Sequence, residues 1–283
     1  MLLNFKFSIL IMVISISFSA NAQEDIPTKE NKSNKGKLYA FWGWNRGWYS
    51  DSDIRFTGEN YDFTLFNVSA TDRQSKVRYE TYFKPTRITI PQTNFRIGYF
   101  ISDKYDISLA VDHMKYVMNS IQDVKINGYI HDGGAYDQNY TNDDFHIEKK
   151  FLRFEHTDGL NYLNMEITRN DDLMDLLKWQ LNPNKIQINT LLGFGGGTVM
   201  PKSNVTLWNT TRYDEFHFAG YGFAGKIGLN FTFYKYFFLR AEYKGGFIDM
   251  PDIRTSSDSK DRASQHFFFT ELVTAFGFVF PLF

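Results

Sequence analysis

Apolar and polar residues alternate strictly along several stretches of the chain. The clearest stretch is Phe237–Phe247, where Leu239, Ala241 and Tyr243 share one face and charged residues occupy the other. A repeat of two is the spacing of side chains on a β-strand. No stretch after Gly36 approaches the ~18 consecutive apolar residues expected of a membrane-spanning helix. The pattern therefore predicts strands with one apolar and one charged face.

The same alternation predicts an all-β chain of eight strands. Their approximate ranges are 37–50, 86–101, 105–118, 151–169, 185–199, 216–233, 237–249 and 265–282. Short linkers (102–104, 170–184 and 234–236) alternate with long polar ones (51–85, 119–150, 200–215 and 250–264). This alternation is typical of a transmembrane antiparallel up-and-down β-barrel with long extracellular loops. A ten-stranded barrel is the alternative, because residues 61–68 and 77–83 could form an additional hairpin.

The charged faces predict what fills the lumen. In 151–168 we place Leu152 and Phe154 outward, then Leu163, Met165 and Ile167 outward, with a bulge near Asp158–Gly159 absorbing the extra residue. The charged residues assigned to the lumen are Arg96, Asp106, Asp112, Arg153, Glu155, Glu166, Lys185, Lys226, Arg240, Glu242, Lys244 and Glu271. Eight strands enclose a space that side chains can fill. We therefore expect a plugged lumen of ion pairs, with too few apolar residues to favour a conduit for small apolar molecules.

Composition agrees with a barrel wall. Aromatic residues make up 18% of the chain and charged residues 22%, and the mean hydropathy is only -0.37, as expected where half of each strand faces lipid. The formal net charge is -1, which gives no general attraction to nucleic acid. The chain has no cysteine, which excludes disulfides, thiolate metal sites and a lipid-anchoring cysteine.

The N-terminal segment predicts export. Lys6 precedes an apolar run, Phe7–Phe18, and Ala20-Asn21-Ala22 forms a small-residue cleavage site. This is the arrangement of a secretory signal peptide over residues 1–22. Residues 23–36 are almost entirely polar, which predicts a flexible periplasmic tail. The barrel is expected over 37–283.

These features together resemble the small outer-membrane β-barrels of the OmpA, OmpX and OmpW-like kind. The resemblance covers 37–283 and rests on architecture, since Pro281 departs from the usual aromatic two residues before the terminal Phe283. It implies a location in the outer membrane, contact with outer-membrane lipid and lipopolysaccharide, and recognition of Phe283 by the barrel-assembly machinery. A secreted lipocalin-like barrel or sandwich is the alternative, which a charged inner face disfavours.

One segment resembles a catalytic motif. Glu155-His156-Thr157-Asp158-Gly159 is similar to the His-x-Ser motif of outer-membrane lipid A deacylases, with Asp158 where the nucleophilic serine would lie. An imidazole base needs a nucleophile to activate, and this motif lacks the hydroxyl. Glu155, His156 and Asp158 therefore remain an alternative acid–base site of a lipid A-modifying enzyme, and we do not expect an enzyme.

Two further sets of residues carry candidate chemistry. His113, His156, His217 and His266 lie in the outer halves of their strands beside carboxylates, a chemistry that suits zinc or pH sensing, but their spacing matches no metal signature. Trp42, Trp44 and Trp48 are predicted as an aromatic girdle at a membrane interface. No cofactor or metal is expected. The sequence favours a non-enzymatic structural or surface-interaction protein whose extracellular partner it does not name.

Overall fold

The computed structural model describes residues 33–82, 84, 87, 91–179, 181–208 and 210–282. The predicted signal peptide (1–22), the predicted tail up to residue 32 and the terminal Phe283 lie outside the described residues. The strands are β1 (Lys37–Tyr49), β2 (Ser52–Gly58), β3 (Tyr61–Val68), β4 (Ala70–Thr71), β5 (Thr93–Phe100), β6 (Tyr105–Met118), β7 (Gln122–Ile130), β8 (Gln138–Ile147), β9 (Leu152–Asp172), β10 (Ile186–Pro201), β11 (Asn204–Leu207), β12 (Gly220–Phe233), β13 (Phe237–Arg254) and β14 (Arg262–Pro281). Two short helices are α1 (Tyr79–Tyr82) and α2 (Leu173–Leu177). In this part of the chain, neither helix combines the length and hydropathy needed to cross a membrane.

Eight of these strands form a closed antiparallel ring in the order β1-β5-β6-β9-β10-β12-β13-β14. Pairing of β14 with β1 closes the ring, from Lys37 opposite Pro281 to Tyr49 opposite Phe269. The predicted eight-stranded antiparallel barrel is confirmed. The ten-stranded alternative is wrong, because the hairpin formed by β2 and β3 lies outside the ring and residues 79–82 form α1.

The wall of the ring is apolar outside and carries buried charges on the middle of its inner face. Apolar side chains exposed on its outer face are Ile97, Leu109, Met165, Leu192, Phe194, Ile227, Leu239, Tyr243, Leu272 and Phe278. Charged side chains buried on its inner face include Arg96, Asp112, Glu166 and Lys244. This distribution inverts that of a soluble protein, where charges face water and are seldom fully buried. It is the distribution expected of a barrel surrounded by hydrocarbon.

One end of the ring, which we call the short-turn end, carries tight connections. Tyr234 and Lys235 adopt positive φ in the turn between β12 and β13. Asp103, in the turn between β5 and β6, accepts a hydrogen bond from the Asn34 backbone N–H at 3.0 Å. Asp172 caps the N-terminus of α2, which buries Met174 and leaves Leu176 exposed.

At the opposite end, which we call the extension end, the sheet continues beyond the ring. β14 pairs with β2 from Arg262 to Gln265, and the order then runs β2-β3-β7-β8. Residues 51–85 and 119–150 were predicted as polar loops, and the structure instead has β2, β3, β4, β7 and β8 within these ranges. The reason is a second alternating pattern: Ile54, Phe56, Phe63 and Leu65 are fully buried, so one face of β2 and β3 covers an apolar core.

The predicted phase of β9 is wrong in its first half. Leu152 and Phe154 are buried inside the extension, and Arg153 is exposed. The predicted bulge is present, but three residues of β9 lie opposite Lys115 of β6, since Leu160 pairs with Met114 and His156 with Tyr116. Two additional residues preserve the alternation, whereas one would have reversed it. Leu163, Met165 and Ile167 face outward as predicted.

Candidate functional site

Ion pairs fill the middle of the lumen. Arg96 forms a two-pronged contact with Glu166, with Nη1–Oε2 and Nη2–Oε1 distances of 2.8 and 2.9 Å. Glu166 also accepts Lys226 at 2.7 Å and Lys244 at 2.8 Å. Glu242 contacts Arg96 at 3.3 Å and Lys226 at 3.1 Å. Strands from different parts of the ring thus converge on two carboxylates that each bind several cations.

Amide side chains extend this network toward the extension end. Asp112 pairs with Lys244 and accepts the amide groups of Asn94 and Asn164. Asn94 also donates to Glu271 at 3.1 Å. Because buried charges are costly unless paired and hydrogen-bonded, Asp112 is stabilised by one cation and two amides. Glu271 receives only the Asn94 amide, on Oε1, and its buried Oε2 has no hydrogen-bond partner among the described residues.

Of the twelve predicted lumen residues, eight form this network: Arg96, Asp112, Glu166, Lys226, Arg240, Glu242, Lys244 and Glu271. Asp106 lies nearer the short-turn end, where it accepts the Tyr39 hydroxyl and the Asn170 amide, both at 2.7 Å. The structure contradicts the other three assignments. Arg153 is exposed on the outer face, Lys185 is exposed in the turn before β10, and Glu155 pairs with Arg73 at 2.9 Å away from the network.

An aromatic layer fills the lumen at the short-turn end. Tyr39, Phe41, Phe100 and Phe238 are buried together with Ala275. The guanidinium carbon of Arg240 lies 5.0 Å from the ring centre of Tyr39, 5.2 Å from Phe41 and 4.9 Å from Phe238. Such cation–π contacts favour a desolvated guanidinium. Arg240 also lies 3.6 Å from Glu242, so it links this aromatic layer to the ion pairs.

Above the ion pairs, the lumen is filled by the apolar core of the extension. Phe56, Tyr116, Phe154, Phe267 and their neighbours are buried in one cluster. The charged inner faces predicted few apolar residues in the lumen, and this core corrects that prediction. The lumen is therefore filled at three successive levels: aromatic, charged and apolar.

A group of hydrogen-bonded amide side chains lies beside β1, where its pairing with β5 ends. β1 pairs with β5 only from Leu38 to Trp44. Beyond this point, Gln92 Nε2 donates to Asn45 Oδ1 at 3.2 Å, and Gln74 Nε2 donates to Gln92 Oε1 at 2.8 Å. Asn45 Nδ2 donates to Asn94 Oδ1 at 2.8 Å. One backbone bond continues past Trp44, from the Asn45 N–H to the Gln92 carbonyl at 3.3 Å, and the side-chain amides add hydrogen bonds beside it.

The alternative acid–base site does not assemble. His156 Nδ1 lies 2.9 Å from Ser203 Oγ, inside the extension core. Burial lowers the pKa of His156 to about 3, so the imidazole is neutral. Glu155 instead accepts Asn204 at 2.8 Å, and Asp158 lies 3.6 Å from Arg212. Ser203 supplies the hydroxyl that the motif lacked, 47 positions away, but both partners are buried and a lipid acyl chain cannot approach them.

The other singled-out residues lie apart from one another. His113 Nδ1 contacts Asn161 Oδ1 at 2.8 Å, and His217 Nε2 contacts Asp252 Oδ2 at 3.0 Å. Within the described ranges, no group of three or more His, Cys, Asp or Glu side chains is arranged to hold a metal ion. Trp42, Trp44 and Trp48 follow one another along the outer face of β1. Their role as an aromatic girdle stays a prediction.

Comparison with known proteins gives similarity of fold alone. No protein-family model and no curated protein matches the chain. Among solved structures, Ail of Yersinia pestis is 10% identical over 87% of this chain and 99% of its own, with a TM-score of 0.33. OprG of Pseudomonas aeruginosa is 10% identical over 87% and 97%, with a TM-score of 0.38. Neisserial surface protein A is 7% identical over 87% and 98%, with a TM-score of 0.34.

The molecule's own geometry defines its class. A closed ring of eight antiparallel strands, an apolar outer face and an ion-paired lumen are the architecture of a small outer-membrane β-barrel.

Proposed function

We propose that this protein is an integral outer-membrane barrel that does not conduct solutes and displays the extension as a rigid surface for interaction at the cell exterior. The observation that carries the proposal is the filling of the lumen at three levels. A water-filled pore needs a polar interior that stays hydrated, and an ion-selective pore commonly shows rings of one charge. Here cations and carboxylates neutralise one another, between an aromatic floor and an apolar core.

The extension supports the interaction role. It continues the sheet of the barrel through β2, β3, β7 and β8 and shares the buried core that fills the lumen. A surface built on packed strands holds its side chains in fixed positions better than a flexible loop does. Outer-membrane lipid, lipopolysaccharide around the wall and the barrel-assembly machinery during insertion are the partners that this placement implies.

Planar-bilayer recording tests the proposal. The protein is refolded, its insertion is verified by the heat-dependent shift in gel mobility typical of folded barrels, and a general porin is recorded in the same bilayers as the positive control. We expect no stable conductance steps, because each level of the lumen is occupied by packed side chains. Reproducible nanosiemens steps from verified inserted protein would refute the non-conducting role.

A further inference from the structure

A groove lies on the outer face where the barrel meets the extension, lined by polar residues that expose mostly carbon atoms to it. It is lined by Asp53, Arg55, Thr64, Asp249, Ser264 and His266 and has a volume of about 310 Å³. Nothing in the lumen or the proposed surface role accounts for this groove, which we call the outer groove. Its volume lies at the lower end of the range of small-molecule sites.

Two irregularities in the strands form the outer groove. In β13, Pro251 and Asp252 lie opposite the single residue Ser264, because Met250 pairs with Gln265 and Ile253 with Ala263. A second bulge interrupts the pairing of β2 with β3 between Ser52 and Ile54. Asn67 adopts a φ of 54° there, and its N–H donates to Asp53 at 2.9 Å. Bulges bend strands, redirect side chains and are common beside binding sites.

The position of the outer groove relates it to the membrane surface. Phe268, which is exposed on the apolar wall, and the half-buried Phe247 form an aromatic pair with ring centres 5.2 Å apart. Asp249 and His266 are the next outward-facing residues along the same two strands and are paired with each other. Two residues advance a strand by about 7 Å. On the proposed membrane placement, the groove therefore lies at the level of the polar headgroups above the outer leaflet.

The charges of the outer groove restrict its ligand. The guanidinium of Arg55 is held by Asp62 through Nε and Nη2, at 2.8 and 2.7 Å, so its charge is already paired. Asp53 and Asp249 add two carboxylates, which accept hydrogen bonds and cannot donate them. An anionic phosphate or sulfate would meet repulsion here. A ligand rich in hydroxyl donors fits this set of acceptors, with Thr64 and Ser264 able to donate or accept.

We propose that the outer groove binds an uncharged, hydroxyl-rich saccharide ring. This proposal rests on the outer-membrane placement made under the proposed function. The ring would lie between the carboxylates of Asp53 and Asp249, beside Tyr221, which lies opposite Asp249 in the pairing of β12 with β13. The sugar could belong to a glycolipid of the outer leaflet or to a soluble oligosaccharide, since both present the same hydroxyl chemistry.

The test measures sugar binding to full-length mature protein in phospholipid nanodiscs. The probes are the dephosphorylated core oligosaccharide of lipopolysaccharide in solution, the phosphorylated form, and the same sugar on its lipid anchor within the nanodisc. Asp249→Asn removes one charged acceptor without changing side-chain size, and Ser264→Trp fills the groove. Asp144→Asn, on the exposed face of β8 and away from the groove, is the matched control.

We expect saturable binding of dephosphorylated sugar by the unmodified protein, weakened about tenfold by Asp249→Asn and abolished by Ser264→Trp. The Asp144→Asn control should bind as tightly as the unmodified protein.

Binding of the free oligosaccharide identifies a soluble ligand, whereas binding of only the anchored form identifies a glycolipid. The proposal is overturned by absent binding of both forms, by tighter binding of the phosphorylated form, or by unchanged binding in Asp249→Asn. Gel mobility verifies that each variant is folded, and the bilayer recording judges the proposed function separately.

Discussion

Replacing Lys244 by methionine is expected to lower the free energy of unfolding by about 3–5 kcal/mol, the usual cost of leaving a buried charge without its partner. Lys244 lies fully buried against Asp112 and Glu166, with Nζ 2.8 Å from Glu166 Oε1. Methionine fills a similar space but leaves the carboxylates short of one positive charge in a region that excludes water. Urea unfolding of the refolded protein in lipid vesicles, followed by tryptophan fluorescence, measures the change.

Lys125→Met is the matched control for this experiment. Lys125 pairs with Asp144 at 2.7 Å on the exposed surface of the extension, where both side chains contact water. Exposed ion pairs contribute about 0–1 kcal/mol, so this variant should unfold almost as the unmodified protein does. Adding Asp112→Asn to Lys244→Met should recover part of the loss, because it removes one unpaired negative charge. Equal effects of the two lysine substitutions would contradict a buried, mutually neutralising lumen.

Truncating Phe154 to alanine is expected to destabilise the protein by a similar amount, about 3–5 kcal/mol. The Phe154 ring lies 5.7 Å from Phe56, 6.4 Å from Tyr116 and 5.0 Å from His156 in the core of the extension. Removing it leaves a cavity that close-packed neighbours cannot fill. The same urea titration measures the loss.

Arg153→Ala provides the comparison for Phe154, because it changes the adjacent residue on the opposite face of β9. Arg153 is exposed, so its removal should alter the free energy of unfolding by no more than about 0.5 kcal/mol. If Arg153→Ala were strongly destabilising and Phe154→Ala mild, the predicted orientation, with Arg153 inside and Phe154 outside, would be supported instead.

The sequence pattern was reliable where lipid faces the strand. In β13, Arg240, Glu242 and Lys244 are buried while Leu239 and Tyr243 are exposed, as the alternation predicted. The rule that apolar residues face outward fails in the extension, where water lies outside and a core lies inside. Leu152 and Phe154 were misplaced for this reason. One sequence does not show where along a strand the surroundings change from hydrocarbon to water.

The sequence also could not predict strands whose partners lie far away along the chain. β3 pairs with β7, and residues more than fifty positions apart set that register. The contact between His156 and Ser203 was missed for the same reason. The bulge that shapes the outer groove was also missed, because residues 250–264 were predicted as a polar loop and β13 instead continues through Pro251 to Arg254. Proline within a strand commonly marks a bulge or an edge.

Cysteine labelling at one depth of the wall tests the central claim most directly. The chain has no cysteine of its own. Ala241 is exposed and Ala275 is buried, and they belong to adjacent residue pairs of β13 and β14. With the protein in vesicles, we predict that a lipid-soluble thiol reagent labels Ala241→Cys, and that Ala275→Cys resists both this reagent and a water-soluble one until the protein is unfolded. Labelling of Ala275→Cys from the lipid phase, or of Ala241→Cys mainly by the water-soluble reagent, would contradict an apolar wall around a filled lumen.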